Sequence, residues 1–240
     1  MTEAPPTVLW EGDTALAVAK PAGVLVHNSA FSGPRESSLR QQVGQALGRR
    51  VYPIHRLDRG TSGVVFFARE AEGVAAWQSA LGADACAKVY LAVVRGRLVA
   101  RARVDRPVKG SDGERRDALS HVEPVCASTT ERASLVALRL FTGRHHQARR
   151  HCNHLAHPIV NDAVHGDSRF NREFQERTGF SRLGLHAVRL VCQSPDDGAL
   201  VDVHAPFPDD LASVLGRLFD ADAADHAAAV EALVGLPAAR

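Results

Sequence analysis

Four stretches of this 240-residue chain concentrate side chains able to do chemistry. In His55-Arg56-Leu57-Asp58-Arg59-Gly60-Thr61-Ser62-Gly63 one carboxylate stands between two arginines, and the segment runs straight into an apolar stretch. A nearby cation keeps a carboxylate ionised even when it is partly buried. Gly60 and Gly63 let the backbone approach a ligand closely. The plain alternative is an Asp-Arg pair capping a turn, which is common and of small energetic worth. In the second stretch Lys88 and Tyr90 flank Val89, and the two-residue period of a strand puts both on one face. The plain alternative there is a half-exposed sheet edge. The third stretch, Thr142 to His151, carries Arg144, Arg149 and Arg150. Arginine forks grip phosphate or carboxylate at two points, and helix N-terminal amides favour anions. Its alternatives are a solvated basic helix face or a zinc site on His151, His154 and His157. Zinc is the weaker, because no acidic or Cys ligand set has the usual spacing and the arginines repel a cation. The fourth, His157 to Asp167, reads by itself only as an ordered loop bounded by Pro158 and Gly166.

Regular elements must position these groups. Val8 to Lys20 reads as two short strands joined at Gly12-Asp13; Pro21-Ala22-Gly23 breaks the chain and Val24 to His27 resumes it. Ser37 to Leu47 has a helical pattern ended by Gly48. Gly63 to Ala68 is a buried strand, Ala71 to Leu81 a helix, and Ala87 to Val94 a strand. Residues 96–118 are Arg-rich and read as an irregular surface excursion. Ser134 to Phe141 alternates as a strand, and Arg144 to His157 reads as a helix stopped by Pro158. Within that helix Ala148, Cys152 and Leu155 form a core-facing stripe, while Arg150, His154 and His157 share another face. Gly184 to Cys192 and Ala199 to His204 pair as strands. Phe207 to Phe219 is a helix with Asp209 and Asp210 at its start, where negative charge is favoured. Ala221 to Val234 is an Ala-rich final helix. Strands come first, then strands mixed with helices, without regular βαβ alternation. That order predicts an α+β fold with a mixed, largely antiparallel central sheet flanked by helices.

The length suits one substantial domain with a small appendage, expected as a catalytic part over 1–220 and an Ala-rich tail over 221–240. A net charge of +2 does not by itself point to nucleic acid. Its distribution says more: Arg144 to His157 holds three Arg, five His and no acid, while 209–240 leans acidic. A single basic patch suits a localised anionic partner. Cys86, Cys126, Cys152 and Cys192 lie far apart and read as reduced, mostly buried thiols of a cytoplasmic protein. The N-terminus shows no signal-peptide pattern, and the apolar runs are far too short to cross a membrane.

The stretches HRLDRGTSG, Lys88-x-Tyr90, TGRHHQARRH and HPIVNDAVHGD, in that order, resemble the RluA family of pseudouridine synthases. Lys20 to His27 is similar to that family's KPxGxxVH segment, and the resemblance runs from about Asp13 to Pro206. His165 to Phe174 resembles the branch that modifies uridine 65 of tRNA. The resemblance implies the pseudouridine synthase fold and a reaction that detaches uracil N1 from ribose C1′, turns the base and rejoins it through C5. No atoms are gained or lost, so neither cofactor nor metal is expected, in keeping with the lack of a Walker or dinucleotide fingerprint. It implies that Asp58 is the catalytic carboxylate, either attacking C1′ or removing the ribose 2′-proton. It implies further that Arg149 pairs with Asp58, and that Tyr90 stacks on the uracil with its hydroxyl near the C5 proton. Arg56 would fill the space left by the flipped base, and Thr61, Lys88, Arg144 and Arg150 would complete the RNA-binding set. Arg144 could instead support the active-site loop. Ala148 departs from the family, which has Ile or Leu there. No S4-like RNA-binding domain precedes the catalytic part, which favours tRNA over ribosomal RNA. The expected partner is RNA, foremost tRNA, and the chain is expected to act as a monomer. The rivals are a ribosomal-RNA pseudouridine synthase and, in another class, a non-catalytic RNA-binding module. A nuclease would need a metal cluster or a second carboxylate.

Overall fold

Hydrophobic alternation and turn chemistry account for most elements of the chain. The computed structural model describes residues 5–28, 37–110, 112–219 and 223–235. In chain order the elements are β1 (Val8–Glu11), β2 (Ala15–Lys20), α1 (Leu39–Leu47), β3 (Tyr52–Pro53), β4 (Ser62–Ala68), α2 (Gly73–Gly82), β5 (Ala87–Arg95) and β6 (Ala102–Asp105). There follow β7 (Val108–Lys109), β8 (Arg115–Arg116), β9 (Leu119–Ala127), β10 (Ala133–Leu140), α3 (Gln147–His154) and α4 (Ser168–Thr178). The last are β11 (Leu185–Gln193), β12 (Leu200–His204), α5 (Asp209–Leu218) and α6 (Ala223–Val234). The chain is α+β with largely antiparallel strands, as expected. Among the described residues no helix is long and apolar enough to cross a membrane.

One compact unit comprises Met1–Cys86 and Val188–Pro206. There β2 pairs with β1 and β4, β3 adds to β4, and β12 pairs with the Arg189–Gln193 part of β11. Every residue of β4 is buried. Its Phe66 packs against Trp77 of α2 and Trp10 of β1, with ring centroids 5.7 and 5.8 Å apart. Trp77 is fully buried, and its indole N–H donates to Thr14 Oγ1 at 2.8 Å, so the core closes without an unsatisfied donor there. The expected extended segment over Val24–His27 is an irregular turn instead. Lys20 and Gly23 hold its start in a loop, so it finds no strand partner.

The other unit comprises Ala87–Ala187 and Phe207–Arg240, with strands ordered β5-β10-β9-β6. All eight residues of β10 are buried, and Val136 and Leu138 pack with Ala148 and Cys152 of α3. The apolar stripe of α3 therefore faces the core as its spacing predicts. The excursion over 96–118 contains strands after all: β6 pairs with β9, and β7 with β8. Ala102 to Asp105 alternates inward Ala and Val with outward Arg and Asp, but four residues are too short a run to announce a strand among so many arginines. Helix α3 is shorter than the predicted 144–157. His146 takes a left-handed φ of 55° and Gln147 Oε1 accepts the Arg144 amide at 3.0 Å, so 144–146 form a turn. His157 lies beyond the helix, its ring bonded to Arg95 O, so it does not continue the Arg150–His154 face. Helix α4 follows the loop expected over 157–167 and was not itself expected; Asp167 caps its start through the Arg169 and Phe170 amides.

Helix α6 packs on β5, β9 and β10, which makes the Ala-rich segment a packing element. Buried Arg139 on β10 donates through Nη1 to the carbonyls of Leu233 and Val234, both at 2.9 Å. A cation at the last carbonyls satisfies acceptors that the helix leaves over. Residues 221–222 and 236–240 of the expected tail lie outside the described residues.

Candidate active site

In the first unit, Asp58 sits half-buried on the loop that leaves β3 and enters β4, with Arg56 exposed and Thr61 buried. Both ends of that loop are fastened. The Ile54 amide donates to Phe66 O at 3.0 Å, and the Phe66 amide donates to His55 Nε2 at 3.1 Å. An amide can only donate, so His55 Nε2 carries a lone pair and the ring is neutral with its proton on Nδ1. The Thr61 amide donates to Asp58 O at 3.0 Å and closes a turn around the carboxylate-bearing residue. Among the described residues the buried Thr61 hydroxyl has no hydrogen-bond partner.

The KPAG segment holds the far side of this loop. Lys20 is 1% exposed, and its ammonium donates to the carbonyls of Pro21, Val24 and Arg59 at 2.8, 2.6 and 3.1 Å. The Gly23 amide donates to Arg59 O at 2.8 Å, and Arg59 Nε donates back to Gly23 O at 2.9 Å. Gly23 has φ +88°, a conformation that a side chain would strain. Lys20 was quoted above only as part of a family segment; here it clamps the residue next to Asp58. Lys20→Met removes a charged donor from three carbonyls in the interior. It is expected to cost about 2–4 kcal/mol of stability, given about 1.5–3 kcal/mol for each hydrogen bond to a charged group. With Asp58 as the expected catalytic carboxylate, it is also expected to lower kcat more than it raises KM. Urea unfolding together with steady-state kinetics checks both effects.

The second unit carries the other predicted residues. Lys88 and Tyr90 are half-buried in β5, opposite Leu140 and Leu138 of β10, and the strand period puts them on one face. Arg149 lies buried on α3, with a partner that the sequence did not disclose. Its Nε and Nη2 donate side-on to Asp162 at 2.8 and 2.7 Å. The Asp162 side chain is fully buried and that of Arg149 is 9% exposed. Burial pushes the Asp162 carboxyl up, but the Arg149 hydrogen bonds and the His165 and Val164 amides outweigh it and hold the group below its ordinary range. Nη1 of Arg149 is outside this fork. The loop bearing Asp162 is itself fixed: Asn161 Nδ2 donates to Phe180 O and Arg182 O at 2.7 and 3.0 Å. A Cβ on Gly166 would come within 2.3 Å of Asp162 O, so only glycine fits there.

Arg144 is exposed and its Nε donates to Asp117 O at 3.0 Å, which ties the 144–146 turn to the link between β8 and β9. Arg150 is half-buried, with Nη1 on Lys109 O. The three histidines spaced by three are separately engaged: His151 with Ser120 Oγ and Arg106 O, His154 with Arg106, and His157 with Arg95 O. Sequence reasoning missed Asp162 and Lys20. The one available signal was a charged residue inside each family-like segment.

A family model described as RNA pseudouridylate synthase matches residues 14–154, which include every predicted site residue. The chain belongs to the RNA pseudouridylate synthase family. This pseudouridylate synthase is 40% identical over 208 residues to a Pasteurella multocida protein named tRNA pseudouridine synthase C, covering 78% of this chain and 86% of the relative. A Yersinia pestis protein of the same name is 33% identical over 244 residues, covering 93% and 95% of the two chains. The structure of human RNA pseudouridylate synthase domain containing 1 shares the fold, with a TM-score of 0.71, 23% identity and coverage of 97% and 96%.

Proposed function

We propose that this pseudouridylate synthase isomerises uridine 65 of tRNA to pseudouridine, with Asp58 as the catalytic carboxylate, acting in the cytoplasm as a monomer. The observation that carries the substrate is the set of relatives named tRNA pseudouridine synthase C, matched over most of their length and of this chain.

Asp58 attacks ribose C1′ with loss of the uracil anion, or removes the 2′-proton to the same end; in both the base stays bound and rejoins through C5. One carboxylate then suffices where a glycosidase needs two, because no water enters the reaction. Arg149 serves the carboxylate of Asp58, and its fixed pair with Asp162 keeps the guanidinium from swinging. Tyr90 stacks on the uracil and brings a hydroxyl to the C5 proton. Exposed Arg56 replaces the flipped base in the stack, which offsets an extrusion cost of a few kcal/mol. Thr61, whose buried hydroxyl lacks a protein partner among the described residues, is left with a hydrogen bond to give to the substrate. Lys88, Arg144 and Arg150 contact RNA phosphates.

Tritium release from tRNA transcripts labelled at uridine C5 tests the reading. Release without chain cleavage, lost when uridine 65 is replaced, is the expected result. Release only from ribosomal-RNA fragments would keep the reaction and overturn the substrate. No release from any RNA by folded protein would leave the non-catalytic binding module.

A further inference from the structure

The β7–β8 hairpin and one side of α3 line a half-open cavity of about 210 Å³ within the second unit. Its cations are Arg106, Lys109, Arg115 and Arg150, with His154 at the edge. The acids of this region are engaged elsewhere: Asp105 pairs with Arg103, and Asp112 and Glu114 pair with Arg116. Among the described residues none of the four cations has a carboxylate partner, so positive charge is concentrated there, and Asp105 is the acid close enough to act on His151. His151 also lines the cavity, but burial lowers its pKa against the weaker pull of its bond to Arg106 O and so disfavours its charged form. Water takes roughly 30 Å³ per molecule in the liquid, so the space holds several waters or one phosphodiester group.

We propose that this cavity is a second anchoring site that grips a backbone phosphodiester of the RNA substrate away from the reacting uridine. The helical turn explains the division of labour. Arg149 and Arg150 are successive on α3, about 100° apart around the axis. Arg149 turns to Asp162, while Arg150 and His154, four residues on, turn to the cavity. One rigid helix thus links a phosphate grip to the guanidinium that serves the reaction. Arg106 and Arg115 supply forks that engage phosphate oxygens at two points, and Lys109 supplies a mobile point charge. The inference rests on the proposed RNA substrate, and its test is separable from that reading.

The experiment measures tRNA affinity against salt concentration for wild type and the Arg106→Gln/Lys109→Gln/Arg115→Gln variant, alongside single-turnover pseudouridine formation at saturating tRNA. The slope of log affinity against log salt is expected to fall by roughly one per phosphate contact removed. Affinity at about 0.1 M salt is expected to fall at least ~10-fold, with a much smaller change in the saturating rate. An unchanged slope and affinity in folded triple variant overturns the site, even if the wild type is fully active. A slope that falls while the wild type forms no pseudouridine supports the site and overturns the reaction. Lys109→Gln alone, at an exposed residue whose structural contacts are made by its backbone, guards against misfolding: it should lower the slope by roughly one.

Discussion

Asp58→Asn is expected to lower pseudouridine formation by roughly 10⁴-fold or more, the scale at which loss of a nucleophile or its base acts in other enzymes. The substitution keeps the size and shape of the side chain. The turn around it is made by backbone groups, Thr61 N to Asp58 O and Gly23 N to Arg59 O, which the change does not touch. Stability and tRNA affinity are therefore expected to stay near wild type while single-turnover tritium release disappears. An amide can neither attack C1′ nor take the 2′-proton, so both mechanisms predict the same loss. Retention of more than a few per cent of the wild-type rate would remove Asp58 from the chemistry.

The second large effect belongs to Asp162. Asp162→Ala strands a guanidinium that is 9% exposed, and breaking one side of such a buried pair costs about 3–5 kcal/mol. It also releases the Val164 and His165 amides from their shared acceptor. Asp162→Asn preserves the volume and one acceptor, and its stability loss is expected to be smaller. On the proposed pairing of Arg149 with Asp58, its turnover is still expected to fall by about 10²-fold. A structural role alone would leave kcat intact in the folded Asn variant, so the two readouts separate positioning from packing. The pH dependence has a defined sign. The folded carboxyl of Asp162 titrates below its unfolded value, so its contribution is complete above the unfolded pKa of about 3.9. It is lost as pH falls through the folded value. The stability gap between wild type and Asp162→Asn should be flat near neutrality and narrow below about pH 4. Thermal melts between neutral and acid pH check this.

Local regularities in the chain announced much of this architecture. Val8 to Lys20 gave its hairpin through alternation and a Gly-Asp turn. Ser38 and Gly48 bounded α1, and the spacing of Ala148 and Cys152 set the buried face of α3. The ordered segments around Asp58, Tyr90 and Arg149 carried the family, which the match over residues 14–154 then showed. These signals are readable because capping, turn residues and side-chain period act within a few residues of one another.

What tertiary structure alone decided lies where the partner is far along the chain. Strand β6 owes its existence to β9, and its four alternating residues are too few to show that by themselves. Lys20 finds the Arg59 carbonyl 39 residues away, and Arg139 finds the end of α6 at Leu233, 94 residues away. Arg149 has Asp162 as a buried partner only because the loop after α3 folds back onto the helix. A charged side chain entering a low-dielectric interior must be satisfied, but by which group is a matter of where the backbone delivers donors and acceptors. The sequence thus determined the kind of enzyme and supplied the residues proposed for its chemistry. Folding determined which neighbours hold those residues still, because that choice is made by long-range packing and leaves no local pattern to read.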